Sequence, residues 1–389
     1  MPERPNPYTP GAGDRPRALV GRELQLSLAG GVRTQVEAGY AANCLLFTGL
    51  RGTGKTVLLK EVRDRMADAG WCAVYLQIRP SAPVDVVFGE TAERLARTLA
   101  AGPRITRAVR SLAKRGGGFQ LLGQGITVNA GGAPSGYRLM GEVLSTLCAA
   151  AAEDGVGVAV ILDELQTLKL AQLGDLVHMI FDLRDELPLA FIGGGLPYLP
   201  SRIARASTST ERLRYEPIDF LDPRDALRGI ALPAELEGVT WEPEAARRVV
   251  ERAGGYPYFL QLYASETWNA ALIRNRTFAT LQVGDVEAAV VEAARQLDAG
   301  LYRARLDRLG ASQRAYVFAM AELLTNAGVA TVSSSDVARR LGRSLTALSP
   351  VREGLIHAGT VHSPARGELE FAIPGFAAYL ARTGDGAPG

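Results

Sequence analysis

The segment Gly49-Leu-Arg-Gly-Thr-Gly-Lys-Thr56 constrains this chain more than any other. It follows a short apolar run, Asn43–Thr48, and precedes apolar residues at helical spacing, Val57, Leu58, Val62 and Met66, which Gly70 closes. A buried strand, a glycine-rich turn and a helix start in that order turn backbone N–H groups toward one point and aim a helix N-terminus at it. Such a nest takes phosphate. Lys55 supplies a mobile charge for the β- and γ-phosphates, and Thr56 a hydroxyl for Mg²⁺. The expected nucleotide-binding residues are therefore Gly49, Arg51, Gly52, Thr53, Gly54, Lys55, Thr56 and Val57, with ATP and Mg²⁺ as cofactors.

Composition narrows the setting. Lysine occurs only at Lys55, Lys60, Lys114 and Lys169, so the lysine of this loop is not one among many. Hydrophobic residues make up 47% and charged residues 22% of 389 residues, which suits two or three domains with real cores. The net charge of +2 points by itself to neither nucleic acid nor membrane. Cys44, Cys72 and Cys148 lie far apart among apolar residues, without metal-ligand spacing or a disulfide pattern, as a reducing cytoplasm allows. No apolar stretch reaches the ~18 residues that span a bilayer. Residues 1–17, rich in Pro, Gly and charge, read as a flexible arm and not as a signal peptide.

Strands alternate with helices after the loop. Cys72–Gln77, Val156–Leu162 and Leu189–Ile192 are strand candidates, and helices are expected over Asp85–Leu99, Tyr137–Ala152 and Leu173–Leu183. The fold class expected is α/β, a P-loop parallel sheet flanked by helices on both faces. The glycine-rich stretch 114–132 alternates weakly through Phe119, Leu121, Ile126 and Val128, which predicts an inserted β-hairpin. Beyond Asp222 the strand patterns stop and helical patterns follow, until a helix, a helix-turn-helix and a strand hairpin close the chain. The domains expected are an arm over 1–17, an ATPase core over 18–221, a helical lid over 222–300 and a winged helix over 301–385.

A phosphate loop of this kind needs a carboxylate partner. Val160-Ile-Leu-Asp163-Glu164, ending the most apolar strand, supplies two. Asp163 suits Mg²⁺, held through water, and Glu164 suits polarisation of an attacking water. The second carboxylate favours hydrolysis over mere binding.

Leu19-Val-Gly-Arg-Glu23 lies about 30 residues before the loop, and Gly254-Gly-Tyr-Pro257 lies in the expected lid. In this order with the two ATPase motifs, they make residues 15–385 resemble the AAA+/STAND ATPases, within the branch of origin-recognition-like initiators and archaeal-type and actinobacterial ATP-binding proteins. The resemblance implies that Val20, Gly21 and Arg22 lie along the adenine and that Gly255, Tyr256 and Pro257 close on the nucleotide. Initiators of this branch present a polar residue at the end of the fourth strand, where this chain has Ile192-Gly-Gly-Gly195, and a lid arginine where it has Tyr256 and Pro257. Both departures imply slow hydrolysis or a STAND-like switch. Arg202, Arg205, Arg212 and Arg214 follow that strand, and Arg212 is the preferred candidate for a finger reaching a neighbouring subunit.

In the C-terminal region, Ser334–Gly342, a turn and Leu345–Ala358 form the expected helix-turn-helix, with Arg339, Arg340, Arg343, Arg352 and Arg366 available to phosphates. Residues 301–389 hold ten arginines against seven acidic residues, a net of +3, and Glu353 sits in the second helix. That balance leaves DNA and a protein partner both open, with self-association a further possibility and no membrane contact. The function expected is an ATP-dependent switch with ATPase activity that drives the winged helix. The alternative is a DNA-binding regulator in which ATP locks conformation without hydrolysis.

Overall fold

The computed structural model describes residues 5–11, 13–79, 119–122, 125–128, 136–153, 155–208 and 210–384. The helix expected over Asp85–Leu99 falls outside them. The chain forms two compact units, one of Arg22–Gly49 and Gly54–Ile218, the other of Met1–Gly21, Leu50–Thr53 and Asp219–Gly389.

The unit containing Gly54–Ile218 is built on a parallel sheet. Its elements are α1 (Glu23–Glu37), β1 (Cys44–Thr48), α2 (Lys55–Asp68), β2 (Cys72–Gln77), β3 (Phe119–Leu122), β4 (Gly125–Val128), α3 (Gly136–Glu153), β5 (Val158–Asp163), α4 (Leu170–Arg184), β6 (Leu189–Gly195), α5 (Leu199–Ala206) and β7 (Leu213–Pro217). Five strands pair in the order β2-β5-β6-β1-β7, all parallel. The strands β1, β5 and β6 are buried along their whole length, so they read as unbroken apolar runs and not as alternations. Leu46, Val74, Leu76, Val160, Leu162 and Phe191 pack with Leu144, Cys148, Leu176 and Ile180 of α3 and α4. The side chains of successive strand residues point to opposite faces. Gly193 faces Leu46 and Leu165 on that side, whereas Gly194 faces Leu59 of α2. Helices therefore cover both faces of the sheet.

Two sequence expectations need amendment here. The strand read over Leu189–Ile192 runs on through the glycines to Gly195, because backbone pairing with β1 continues to Thr48. Strand β7 was not foreseen: Leu213-Arg-Tyr-Glu-Pro carries little apolar pattern because it lies at the sheet edge. Within 114–132, β3 and β4 do pair antiparallel as a hairpin.

The other unit is mainly helical. It contains α6 (Pro223–Leu236), β8 (Thr240–Trp241), α7 (Pro243–Ala253), α8 (Pro257–Arg274), β9 (Thr280–Leu281) and α9 (Val283–Gln296). A π-turn over Leu297–Tyr302 then leads directly into α10 (Arg303–Asp307). There follow α11 (Ala311–Ala327), β10 (Val332–Ser333), α12 (Ser334–Arg340), α13 (Leu345–His357), β11 (Val361–His362), β12 (Glu368–Phe371) and α14 (Phe376–Thr383). Strands β10, β12 and β11 form a small antiparallel sheet. One apolar cluster runs from Ala226 through Trp268, Tyr302 and Tyr316 to Leu380, so residues 222–300 and 301–384 share a core. The expectation that strands stop at Asp222 is corrected by the parallel pair β8–β9, whose two-residue strands are too short to show a period.

The N-terminal segment departs most from its reading. Instead of a flexible arm, residues 5–11 are docked. Tyr8 is buried, its ring set edge-on against Trp241 and Trp268. Its hydroxyl donates to the Ile230 carbonyl at 2.6 Å and accepts from Trp241 Nε1 at 3.0 Å. Asn6 Nδ2 donates to Ser265 and Asn269 on α8.

Candidate functional site

In a parallel sheet the carboxyl ends of all strands share one edge, and ligands bind there. β1 ends in the glycine-rich loop and β5 ends at Asp163, on the same edge. Gly52 and Gly54 have φ of 80° and 92°, the left-handed region that a side chain disfavours. Gly54 caps α2 with no side-chain bond, and no described atom stands within 4 Å of where its Cβ would lie. The amides at such a helix start are the donors that an anion site uses. Lys55 is buried and its Nζ donates to the Gly49 carbonyl at 2.8 Å. Thr53 Oγ1 donates to the Leu50 carbonyl at 2.9 Å and closes the turn. Val57 continues the first turn of α2.

Thr56 and Asp163 meet. Thr56 Oγ1 donates to Asp163 Oδ2 at 2.6 Å, and Tyr75 Oη donates to the same oxygen at 3.1 Å. Burial, and then the charge of Asp163, push the Tyr75 phenol upward, so it stays a proton donor to that carboxylate. Asp163 Oδ1 accepts from the Glu164 amide at 2.8 Å. Glu164 has φ of 60°, the one positive value at a non-glycine position among the described residues. Its carboxylate accepts a hydrogen bond from Gln166 Nε2. Sequence reading missed Tyr75 and Gln166. The signal available for each was a polar residue in an apolar setting, Tyr75 within Cys72–Gln77 and Gln166 just after the Asp163–Glu164 pair.

The remaining candidates fall in three places. Tyr256 is buried, with its ring against Phe259 and Phe220, and its Oη donates to the Arg51 carbonyl at 2.8 Å. A Cβ on Gly52 would lie 2.0 Å from that oxygen. Burial pushes the Tyr256 phenol up to about 12. Pro257 opens α8 in the position where a missing N–H costs nothing. Gly255 is pinned by its carbonyl, which accepts from the Leu221 amide at 2.9 Å. Val20 and Arg22 are buried; Val20 packs on Gly229, and a Cβ on Gly21 would meet Asp225 and Leu221. Arg212 belongs to the unit built on the parallel sheet. It precedes β7, at the amino edge of the sheet, where it pairs with Asp185 at 3.0 Å and lies over the Phe181 ring.

Residues 18–192 match the family model described as AAA ATPase domain. Lys55, Thr56, Asp163 and Glu164 all lie inside it. Residues 299–380 match a second model, described as Domain of unknown function (DUF8462). No curated protein matches the chain in sequence. Among solved structures, the Walker-type ATPase PABY2304 of Pyrococcus abyssi is similar at TM-score 0.59 and 16% identity, over 95% of this chain and 100% of that one. The ORC1 protein of Aeropyrum pernix, solved in complex with DNA, matches at TM-score 0.46 and 16% identity over 94% of both chains. The RuvB branch migration motor of Thermotoga maritima matches at TM-score 0.44 and 16% identity, over 92% of this chain and 95% of that one. The Pyrococcus likeness is one of fold. Among the described residues, no helix is long and apolar enough to cross a membrane.

Proposed function

We propose that this AAA domain binds Mg²⁺-ATP at Gly49–Val57 and hydrolyses it slowly, and that nucleotide state controls a C-terminal effector domain. The observation that carries the reading is the 2.6 Å approach of Thr56 Oγ1 to Asp163 Oδ2 beside a helix N-terminus capped by glycine. A hydroxyl and a carboxylate are the hard oxygen donors that Mg²⁺ prefers. The left-handed glycines and open space at Gly54 fit a phosphate chain, with Lys55 supplying its charge. Bound Mg²⁺ would neutralise charge that develops on the phosphates. The chain's own residues do the rest: the loop amides orient the phosphates, Asp163 and Thr56 hold the cation, and Glu164 accepts the proton of the attacking water. Val20, Gly21, Arg22, Tyr256 and Pro257 are assigned to the adenine side and to closure over the nucleotide.

Slow turnover is inferred from the glycine run at the end of β6 and from the place of a lid arginine being taken by Tyr256 and Pro257. Arg212 is assigned a role in trans, in a self-associated form, for which its pair with Asp185 must open. We assign residues 18–221 to the ATPase core, 222–300 to a lid and 301–385 to a winged helix, working in the cytoplasm. The order helix, strand, two helices and strand pair from α11 to β12 supports the winged-helix reading. A protein partner is favoured over DNA as its target. Arg339 pairs with Asp336 at 2.8 Å and Arg340 with Glu322 at 2.7 Å, so both arginines already have a carboxylate partner within the chain.

Calorimetric titration tests the nucleotide site. Wild type should bind ATP with Mg²⁺, and Lys55→Ala should weaken that binding by about a hundredfold or more through loss of the charge on the phosphates. Retained tight binding in the variant overturns the assignment.

A further inference from the structure

The Gln166 side chain is buried, and both ends of its amide are engaged. Nε2 donates to the Glu164 carboxylate, and Oε1 accepts from the Leu196 amide at 3.1 Å, just past the end of β6. The orientation is fixed chemically. A flipped amide would set oxygen against carboxylate and NH₂ against N–H, repulsive at both ends. The backbone of the same turn is held by Arg202, which donates to the Gln166 carbonyl and, at 2.7 Å, to the Leu168 carbonyl.

Two features of the neighbourhood gain a reason from this clamp. Glu164 holds a left-handed backbone conformation that a side chain keeps only where its surroundings impose it. At the end of β6 any side chain would crowd its neighbours. A Cβ at Gly194 would lie 2.7 Å from Leu59 Cδ1 and 3.1 Å from Asp163 Oδ1. At Gly195 it would lie 2.7 Å from Leu199 Cδ2 and 2.9 Å from Gln166 Oε1. The polar group at this strand end arrives from the β5 side, through Gln166.

We propose that Gln166 is the positioning residue of the site: its amide sets the Glu164 carboxylate and couples it to the end of β6. The kinetic part of this rests on the hydrolytic reading of Glu164; the clamp does not. Gln166→Met keeps the volume without either bond. Gln166→Glu can still accept from the Leu196 amide but sets a carboxylate against Glu164. Both variants should bind Mg²⁺-ATP within about twofold of wild type while single-turnover phosphate formation falls about tenfold or more. Adding Gln166→Met to Glu164→Gln should change turnover no further, since the amide acts through that carboxylate. Binding and turnover that fall in parallel, or losses that multiply in the double variant, overturn the proposal. If wild type forms no phosphate at all, the hydrolytic reading fails by itself and a spectrum decides the clamp. In ¹⁵N–¹H spectra the Gln166 side-chain NH₂ pair should stand away from free-amide positions in wild type and move to them in Glu164→Ala. A pair unmoved by that substitution overturns the proposal whether or not ATP is turned over.

Discussion

Gly194 shows how one residue records the demands of several neighbours. Its missing side chain lets Leu59 and the Asp163 carboxylate approach the strand from the same face. Gly194→Ala should therefore cost about 1–3 kcal/mol by overpacking, seen as a lower denaturation midpoint of the ATPase domain. Gly54 is glycine for a different reason. Its Cβ would meet no described atom within 4 Å, but its φ is 92°, so Gly54→Ala should cost only about 1–2 kcal/mol of backbone strain and should chiefly distort the phosphate nest. A titration with ADP separates the two, with the larger loss of affinity expected for Gly54→Ala. The motif residues Lys55, Thr56, Asp163 and Glu164 were legible because their chemistry lies in residue type and spacing. Gln166 was not, because its role comes from a turn that folds it back between two strand ends.

At the scale of elements, apolar pattern decided what could be read. The helix α2 and the strands β1 and β5 carry clear apolar signals and are legible. The five-residue edge strand β7 and the two-residue pair β8–β9 carry almost none. Composition misled for the N-terminal segment, where Pro and Gly hide a single aromatic anchor. Tyr8→Ala should remove about 3 kcal/mol from the C-terminal unit through the cavity left beside Trp241 and Trp268, measurable by chemical denaturation. The β11–β12 pair adds a pH dependence. Burial depresses the His362 pKa, with Glu370 opposing at 3.7 Å. The unfolded chain then binds the proton more tightly than the folded one. Stability from this site is therefore complete above about pH 6.5 and is lost as pH falls toward the depressed value. Hydrogen exchange at the amides of β11 and β12 should quicken over that range in wild type and less so in His362→Gln.

Across the whole molecule, the α/β class followed from alternating patterns, but strand order did not, since it depends on which crossovers pass over which strands. Nor did the sequence betray that residues 222–384 pack around one apolar cluster, because helical patterns show which face is buried and not what covers it. The buried thiols give a test of the described core. Burial pushes Cys44 up to about 11 and Cys72 up to about 12, and raises Cys148 further. Thiolate is the reactive form. All three cysteines should thus react slowly with a thiol reagent at pH 8 in the folded protein and promptly after denaturation; a rapid native reaction would place one of them at the surface.

The central claim is that Lys55, Thr56, Asp163 and Glu164 together bind and hydrolyse Mg²⁺-ATP, and phosphate release tests it most directly. Wild type and Glu164→Gln would be compared at saturating ATP, with binding of both verified beforehand. The account predicts slow release by wild type and release slower still by about a hundredfold or more, though measurable in single turnover, by a variant that still binds the nucleotide. Equal release by both proteins, or bound ATP that wild type never cleaves, would contradict it.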